Sequence, residues 1–391
     1  MISVGEAKAI LSKSCPIGPS TSVYLSDSVD LITASDITAP IHVPSFDNSA
    51  MDGYAVSWQK EPIPYKVVFT IAAGDVDNVR IKSGTACRIF TGAPIPKGTD
   101  TVIPQEFVIK NGDTISFDAG KFAKGANVRT KGSQSIPGDK VLEKGSRITP
   151  GTVGLLASLG IAKVDAFSPP SVGVIITGNE IKEVGTALES GQIYNTNGPI
   201  ISSYLKKMGM RSFEVFHISD DPITLLKSIE NITNRYDFTI ISGGISVGDY
   251  DYVKKSLAEV GVEELFYKVK HKPGKPLFAG IKSGHMIFSL PGNPASVITC
   301  FIQYVKPAIL QWMGFKDVWQ PASYLQLETP FSGKSQLTHF LKSKRNKGKV
   351  AILPGQESFN LNAFGQADCL VEIPEESPPL KEGDIVATYE W

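Results

Sequence analysis

The stretch SVGVIITGNE, residues 171–180, indicates the class of fold. Its first seven residues form a nearly continuous apolar run, which is typical of a strand buried on both faces, and a glycine then ends the run. Similar runs recur between about residues 168 and 315, separated by helical patterns. This alternation predicts an α/β region with a parallel sheet covered by helices on both faces. The other strand candidates are FEVFHIS (213–219), FTIIS (238–242) and HMIFSL (285–290).

Helical patterns fill the gaps between these runs. They predict helices over residues 196–209, 221–235, 251–261 and 293–314. Apolar residues at helical spacing also predict a helix over residues 3–14.

TPGTVGLLASLG, residues 149–160, predicts one more helix. Thr149 is its N-cap candidate, Pro150 occupies the first helical position and Gly160 ends it.

The regions on either side of the alternation have the texture of β structure. Residues 41–146 contain short β-type runs such as YKVVFTI, and residues 317–391 contain runs such as KVAILP and CLVEIP. We therefore predict a multidomain α/β protein. The predicted domains are an extended N-terminal segment that includes its return (1–40 and 147–167), an inserted β domain (41–146), the parallel-sheet α/β domain (168–316) and a C-terminal β domain (317–391).

Composition excludes several classes of function. The chain has 391 residues, with 39 basic and 39 acidic side chains, so net charge favours neither a nucleic-acid nor a membrane partner. The four cysteines form no CxxC pair, and the five histidines show no metal-ligand spacing. Any metal site would then be built from oxygen ligands, which favours Mg²⁺ over zinc.

Targeting signals are not evident in the sequence. The N-terminus lacks a basic region followed by an apolar block, so it does not predict a signal peptide. The longest apolar run, residues 295–313, contains Gln303, Lys306 and Pro307, which favours a buried helix over a membrane span. We therefore expect a cytoplasmic location.

Ligands of open α/β sheets bind beyond the carboxyl ends of the strands. After 171–177, Gly178 permits close backbone approach and Glu180 offers a carboxylate, although an ordinary turn also explains this segment.

After 238–242, the loop SGGISVGDYDY offers backbone N–H groups and the hydroxyls of Ser242 and Ser246 to an anion. Asp249 and Asp251 follow and suit Mg²⁺, although Asp251 is also a helix-cap candidate.

The loop after 285–290 carries a third set of candidates. Asn293 is a predicted N-cap and Pro294 occupies the first helical turn, which leaves a helix N-terminus at this sheet edge. Upstream, Lys272 and Lys275 lie on a proline-stiffened loop and suit a phosphate or oxyanion, although two solvated lysines are the alternative. Asp220-Asp221-Pro222 is explained by helix capping as readily as by function.

Gly244-Ile245-Ser246-Val247-Gly248 matches the GxSxG pattern of serine hydrolases. In a nucleophile elbow the helix begins almost at the serine, whereas a glycine and two acids intervene here. A hydrolase that uses Ser246 is therefore a minor alternative.

The polar stretch PSFDNSAMDGYA, residues 44–55, resembles neither a strand nor a helix. We predict that Phe46, Met51 and Tyr54 anchor it in a core, that Gly53 turns the chain and that Asp52 projects as a fixed carboxylate. A capping loop is the alternative. FTGAPIP, residues 90–96, is a rigid loop or a hairpin connection that exposes the hydroxyl of Thr91.

Eight stretches together resemble one family. They are FDNSAMDGYA, FTGAPIP, ITGNEI, GQIYNTNG, DDP, SGGISVGDYDY, KPGKP and LPGNPAS, in this order. In this order they closely resemble the molybdopterin molybdenumtransferase family, which is related to the C-terminal domain of gephyrin. The resemblance covers residues 3–315 strongly and the C-terminal β domain more loosely.

The resemblance implies an enzyme of molybdenum cofactor biosynthesis that works as an elongated homodimer. It implies adenylylated molybdopterin and molybdate as substrates, Mg²⁺ as cofactor and release of AMP. It also suggests the molybdopterin adenylyltransferase as a partner. A non-catalytic pterin-binding or scaffolding relative is the alternative.

Residue roles are implied by the same resemblance. The positions important for activity match Asp52, Thr91, Glu180 and Asp251. The implied metal ligands are Asp249, Asp251, Asp220 and Asp221. The implied substrate-binding residues are Ser242, Gly243, Gly244, Ser246, Gly248, Lys272, Lys275, Pro291, Asn293, Pro294 and Arg129.

The sequence departs from the family pattern at three places. Ser133 and Gln134 stand where two acids are common, and Asn179 stands where Asp is frequent. Residues 338–342 replace an arginine-bearing segment, whereas Ser358 is retained.

Overall fold

A computed structural model describes residues 1–61, 63–75, 79–244, 252–333 and 335–391. The chain forms two compact units. One contains residues 22–166, and the other contains residues 1–21 and 167–391. Within the ranges described, none of the helices has the length and apolar character needed to cross a membrane.

The N-terminal helix α1 (Val4–Ser14) follows the predicted periodicity. It begins with a capping box, because Ser3 Oγ accepts from Glu6 N at 3.2 Å and Glu6 Oε2 accepts from Ser3 N at 2.7 Å. The buried side chains of α1 are Val4, Ala7 and Leu11.

The unit of residues 22–166 contains a mixed six-stranded sheet. The strands up to residue 167 are β1 (Ser20–Tyr24), β2 (Ile37–Thr38), β3 (Asn48–Ser49), β4 (Gly53–Val56), β5 (Tyr65–Ile71), β6 (Thr85–Ile89), β7 (Thr101–Pro104), β8 (Ile109–Asn111), β9 (Thr114–Ser116), β10 (Val128–Arg129), β11 (Lys140–Leu142) and β12 (Lys163–Phe167). The sheet order is β7-β4-β6-β5-β9-β8. Short 3₁₀ helices cover Leu25–Asp27, Gln105–Phe107 and Ala119–Lys121.

At strand β4 the sheet is covered on both faces. All four of its residues are buried. Tyr54 and Val56 belong to one apolar cluster, and Ala55 belongs to another. Alternate side chains of a strand point to opposite faces, so the two clusters lie on the two sides of the sheet.

The two flanks of this β region meet. Strand β2 pairs with β11, β1 pairs with β12, and Arg147 forms an ion pair with Asp30 at 2.8 Å. Helix α2 (Pro150–Ser158) then begins as predicted, because Thr149 Oγ1 accepts from Thr152 N at 3.2 Å. Gly160 follows the helix with a φ of +73°, which favours glycine.

The α/β region contains the four predicted parallel strands. Its strands are β13 (Val172–Thr177), β14 (Ile181–Lys182), β15 (Ile193–Tyr194), β16 (Phe213–Ile218), β17 (Phe238–Ser242), β18 (Glu263–Tyr267), β19 (His271–Lys272), β20 (Phe278–Lys282) and β21 (His285–Leu290). The main sheet has the order β16-β13-β17-β21-β20-β18, and the first four strands are parallel. The helices are α3 (Asn197–Lys207), α4 (Pro222–Arg235), α5 (Tyr252–Glu259), α6 (Pro294–Cys300) and α7 (Lys306–Trp312).

The sheet extends beyond the predicted parallel strands. Strands β20 and β18 add to β21 in antiparallel pairing. Sequence patterns did not predict these two strands, because β18 begins with two acids and β20 contains Gly280. Acidic residues and glycine are both uncommon in strands.

The predicted helix over residues 293–314 is continuous but uneven. A π-helical turn, Phe301–Val305, lies between α6 and α7. Pro307 has no N–H with which to bond the carbonyl of Gln303, and a widened turn before it accommodates that loss.

The C-terminal region is a closed five-stranded barrel. Its elements are β22 (Ser323–Leu327), β23 (Thr338–Asn346), β24 (Lys349–Ile352), α8 (Asn362–Gln366), β25 (Cys369–Ile373) and β26 (Ile385–Glu390). The order β23-β24-β22-β26-β25 closes through pairing of β25 with β23, and β19 adds to β23 from outside. The predicted fold class is therefore confirmed, whereas the exact boundaries of the four domains stay a prediction.

Candidate functional site

The carboxyl ends of the four parallel strands line a cleft with a volume of about 410 Å³. Helix α3 and the short strands β14 and β15 complete its wall. This is the position that an open α/β sheet favours for a ligand. The predicted site residues among its described lining are Glu180, Asp220, Gly243, Gly244, Asn293 and Pro294.

The end of β13 fixes two carboxylates in this cleft. Thr177 Oγ1 donates a hydrogen bond to Asp220, and Asn179 Oδ1 accepts from Asp220 N at 3.2 Å. Gly178 has a φ of +147°, and a Cβ added there would lie 2.9 Å from Glu180 Oε2. The positive φ favours glycine at this position, and the missing Cβ leaves room for the carboxylate of Glu180 beside the backbone.

The end of β17 brings a glycine pair against β13. A Cβ added to Gly243 would lie 2.2 Å from the carbonyl oxygen of Thr177, and Gly243 has a φ of +101°. Ser242, one residue earlier, is fully buried and accepts from Asn197 Nδ2 at 2.9 Å. The close approach and the backbone conformation both explain the glycine at position 243.

Four predicted residues of the following loop lie outside the described residues. They are Ser246, Gly248, Asp249 and Asp251. Their roles in binding substrate or metal, and the hydrolase hypothesis that rests on Ser246, stay predictions.

The end of β21 leads directly into α6. Asn293 is its N-cap, because Asn293 Oδ1 accepts from Ala295 N at 3.0 Å, and Pro294 occupies the first turn. Pro291, which the family resemblance also implied, is buried and directly follows the strand. The predicted cap geometry is present at the cleft.

The two adjacent acids of DDP occupy different positions. Asp220 lines the cleft, whereas Asp221 caps α4 by accepting from Thr224 N at 2.8 Å and Thr224 Oγ1 at 2.7 Å. These two bonds lower the pKa of Asp221, with the hydroxyl bond as the larger cause. The structure thus shows capping by Asp221, and its role as a metal ligand stays a prediction.

Neither Lys272 nor Lys275 is among the described residues that line the cleft. Both are exposed, and Lys272 lies on β19, which runs parallel to β23 beside His339. Between them Gly274 packs closely, since a Cβ there would lie 2.6 Å from Cys300 Sγ on α6. The lysine loop is thus held firmly, while its cations face solvent.

The unit of residues 22–166 holds a second group of predicted residues. Asp52 Oδ1 accepts from Thr91 N at 2.8 Å and from Thr91 Oγ1 at 2.7 Å. The backbone bond, then the hydroxyl bond, lower the pKa of Asp52, and the charge of Arg88 contributes further. Asp52 is therefore an ionised carboxylate with one oxygen fixed by Thr91.

Arg88 is a member of this group that sequence reasoning missed. Its guanidinium lies 5.0 Å from the ring centroids of both Tyr54 and Phe90, and it donates to Gly53 O at 3.2 Å. The signal that could have found it is its position, two residues before the FTGAPIP loop begins at Phe90. Arg129, which was predicted, lies exposed on β10 opposite Asn48.

The predicted anchoring of the polar stretch is partly wrong. Tyr54 is buried, but Phe46 and Met51 are 47% and 42% exposed. Gly53 does not act as a turn residue either. It opens β4, where a Cβ would lie 2.1 Å from the carbonyl oxygen of Ile103. Close packing of β4 against β7 explains this glycine.

The metal chemistry of the site follows from its side chains. Across the ranges that the structure describes, no three His, Cys, Asp or Glu side chains cluster as a metal site. The four cysteines are buried as free thiols, and burial raises the pKa of Cys15 to about 12 and of Cys87 to about 11. Glu180 and Asp220 supply carboxylate oxygens to the cleft, which suit a hard cation.

Three family models match the chain in succession and define its class, that of MoeA-type multidomain proteins. Residues 2–160 match the family model of the MoeA N-terminal region (domain I and II). Residues 173–311 match a probable molybdopterin binding domain, and residues 324–391 match the MoeA C-terminal region (domain IV).

Relatives extend over nearly the whole chain. A molybdopterin molybdenumtransferase of Haemophilus influenzae is 35% identical over 398 residues, which cover 99% of this chain and 98% of the relative. One of Staphylococcus aureus (strain MRSA252) is 34% identical, with 95% of this chain and 91% of the relative covered. A crystal structure of a molybdopterin biosynthesis moeA protein from Pyrococcus horikoshii OT3 is 27% identical, has a TM-score of 0.84 and is matched over 100% of both chains. The chain belongs to the molybdopterin molybdenumtransferase (MoeA) family of enzymes, which acts in molybdenum cofactor biosynthesis.

Proposed function

We propose that this enzyme inserts molybdenum from molybdate into adenylylated molybdopterin and releases AMP. Family membership supports a role in molybdenum cofactor biosynthesis. The cleft supports the more specific assignment, which is molybdenum insertion with release of AMP. The observation that most strongly supports this reaction is the meeting of Glu180, Asp220 and the backbone of Gly243 and Gly244 where four parallel strands end. Such a site offers carboxylates and backbone N–H groups to a phosphate-bearing ligand.

The reaction exchanges two sets of bonds. Water attacks the adenylyl phosphorus, the bond to the pterin phosphate oxygen breaks, and AMP leaves with the hydroxyl of that water. The two dithiolene thiols of the pterin bind molybdate through their sulfurs, and their two protons leave with one molybdate oxygen as water, so that the sulfurs hold the metal. The substrate supplies the sulfur ligands itself, and the protein thiols are buried.

The side chains of the site supply positioning and charge. The carboxylates of Glu180 and Asp220 orient the ligand and accept protons from the attacking water. Lys272 and Lys275 are exposed cations on a closely packed loop, and we assign to them the neutralisation of an oxyanion. Asp52 and Thr91, in the unit of residues 22–166, offer an oriented carboxylate and hydroxyl, and Arg129 of the same unit offers a further cation. Family resemblance is what assigns these three residues to the reaction.

Mg²⁺ fits the donor set of the cleft. This ion is commonly bound by one or two carboxylates together with substrate phosphates and water, and Glu180 and Asp220 are carboxylates of this kind. Asp249 and Asp251 are the further predicted ligands. When bound, the ion would neutralise charge that develops on the phosphate oxygens.

Three further proposals accompany this function. They are a homodimer, a cytoplasmic location and an encounter with the molybdopterin adenylyltransferase that supplies the substrate. The homodimer and the encounter rest on family resemblance, and the location is the expectation drawn from the sequence.

AMP release from adenylylated molybdopterin tests the proposal. We expect the purified protein to release AMP only when both Mg²⁺ and molybdate are present. The Asp52→Asn variant should bind molybdopterin as the wild type does but release AMP about 100-fold more slowly. Tight pterin binding by the wild type without AMP release would contradict catalysis and favour a non-catalytic pterin-binding role.

A further inference from the structure

Asn197 occupies an unusual place at the cleft. It is the first residue of α3, it lines the cleft, and only 6% of its surface is exposed. Its Nδ2 donates to Ser242 Oγ at 2.9 Å and to Gly292 O at 2.7 Å. One carboxamide thus joins the last residue of β17, directly before the Gly243-Gly244 pair, to the loop after β21.

The orientation of this amide follows from its partners. A backbone carbonyl can only accept a hydrogen bond, so the atom of Asn197 that faces Gly292 O must be the nitrogen. The other amide atom, Oδ1, is buried and has no donor within the part of the chain that the structure describes. An unpaired buried acceptor is costly, so stability alone does not account for an asparagine here.

The two loops that Asn197 joins are closely packed. Gly243 N donates to Leu290 O at 3.4 Å, a long hydrogen bond, and a Cβ added to Gly292 would lie 3.7 Å from Gly243 Cα. Within the described residues, the regular pairing of β17 with β21 ends at Ser242 and Leu290. The Asn197 amide supplies two bonds at the place where the ladder stops.

Asn197 is itself well anchored. The preceding turn is fixed because Asn195 Oδ1 accepts from Gly198 N at 3.0 Å. Along α3, Ile201 and Leu205 are fully buried. The amide is therefore held by a rigid helix end, and it can set the position of less regular loops.

We propose that Asn197 is a positioning residue for the molybdenum-insertion reaction. It sets the distance between the glycine loops after β17 and β21 and so preforms the cleft for the pterin substrate. This inference rests on the proposed function for its role in catalysis. Its structural part is independent of that function and is tested separately.

Asn197→Ala is the first test, with Ile201→Val as a matched control on the same helix. The control removes one buried methyl group and should destabilise α3 by about 1 kcal/mol without changing either loop. Hydrogen exchange followed by mass spectrometry reports on peptides that contain residues 242–244 and 290–292. We expect faster exchange in these peptides for Asn197→Ala and wild-type exchange for Ile201→Val.

Binding of molybdopterin gives the second readout. We expect Asn197→Ala to raise the Kd for molybdopterin about tenfold, and Ile201→Val to leave it near the wild-type value. Unchanged exchange in both loop peptides, or an equal rise in Kd for the two variants, would overturn the inference.

Asn197→Asp separates positioning from simple loss of packing. A carboxylate of nearly the same shape cannot donate to Gly292 O, whereas the protonated acid can. Molybdopterin affinity of this variant should therefore improve on acidification from about pH 8 to about pH 5, relative to wild type and Asn197→Ala. No improvement would contradict the role of the donated bond. If wild-type protein binds molybdopterin but inserts no molybdenum, the proposed function fails, while exchange and binding still decide the role of Asn197.

Discussion

Asp52 shows how one side chain is prepared by its immediate neighbours. Two hydrogen bonds from a single residue, Thr91, hold one of its oxygens, and Arg88 adds positive charge nearby. Both effects favour the ionised form, so the pKa of Asp52 is lowered. A lowered pKa means that the carboxylate stays charged until the pH falls below its ordinary range.

Thr91→Val tests this arrangement. It removes the hydroxyl bond to Asp52 and keeps the backbone bond, so the pKa of Asp52 should rise toward its ordinary value. We expect the acid limb of the pH–rate profile to move to higher pH and kcat at neutral pH to fall roughly tenfold. Carbon-13 NMR titration of the carboxyl carbon measures the pKa directly.

Thr114→Val is the control for Thr91→Val. Thr114 Oγ1 donates to a turn carbonyl, Asn111 O, in the same unit and has no part in the site. This variant should keep both the pKa of Asp52 and the wild-type rate. An unshifted Asp52 titration in Thr91→Val would show that the hydroxyl bond does not hold the carboxylate.

At the scale of single elements, β23 is the strand that sequence patterns could not reveal. Its sequence THFLKSKRN lacks apolar alternation and carries three cationic residues. Lys342 explains how this strand is nevertheless central to the barrel. Only 2% of the surface of Lys342 is exposed. Its Nζ donates to the carbonyl oxygens of Gly355 at 2.8 Å and of Glu357 and Asn360 at 2.9 Å.

Lys342→Met tests whether this ammonium fixes the loop of residues 355–360. Methionine keeps much of the volume but leaves three carbonyl oxygens without their charged donor. We expect the barrel to lose about 2–4 kcal/mol of stability and the loop to exchange its amide hydrogens faster. The exposed Lys344→Met on the same strand should change stability by less than about 0.5 kcal/mol. Equal stabilities of the two variants would refute this role.

Element prediction succeeded where local chemistry agreed with burial. The four parallel strands and α2 follow directly from apolar runs and from the cap at Thr149. Strands β18 and β23 depend instead on pairing partners that are distant in the chain, and such pairing is invisible to local pattern. The predicted burial of Phe46 and Met51 was wrong for a related reason. The sequence shows that these side chains are apolar but not on which face the fold places them.

At the scale of the whole molecule, the unit of residues 1–21 and 167–391 contains a fully buried titratable group. His271 is fully buried, and both ring nitrogens lack partners within the described chain. Its ring lies 5.6 Å from that of Tyr304 and 5.8 Å from that of Phe340. Burial lowers the pKa of His271 to about 3, and the charge of Lys8 also contributes.

This histidine should couple the stability of its unit to pH. The unfolded chain binds a proton near the ordinary pKa of 6.5, whereas the folded unit does so only near 3. Stability contributed by neutral His271 is therefore complete above about pH 6.5 and is lost as pH falls from there toward 3. At pH 5 the loss should be about 2 kcal/mol, from about 1.5 pH units at 1.36 kcal/mol each.

His271→Leu should remove this acid sensitivity. Denaturant unfolding is followed by tryptophan fluorescence in a Trp58→Phe background, because Trp312, Trp319 and Trp391 then report on the unit that contains His271. Relative to pH 7.5, the variant should lose about 2 kcal/mol less stability at pH 5 than the protein with His271. Equal losses would show that His271 is protonated in the folded state.

The position of the cleft, unlike its full composition, was predictable from sequence. Parallel strands oblige their carboxyl ends to share one edge, so Glu180, Asp220 and Gly243 converge there. The motif that contains Asn197 was recognised, but no local rule indicates that its amide joins Ser242 to Gly292. Contacts between loops depend on tertiary packing, and only the folded chain reveals them.

We propose that AMP release and molybdenum insertion are one coupled reaction. Its most direct test is a single-turnover measurement of both products, with purified protein, adenylylated molybdopterin, Mg²⁺ and molybdate. We predict equimolar AMP and molybdenum-loaded pterin, formed at the same rate. AMP release that proceeds without molybdenum in the pterin, or at the same rate when molybdate is left out, would show that the two reactions are not coupled.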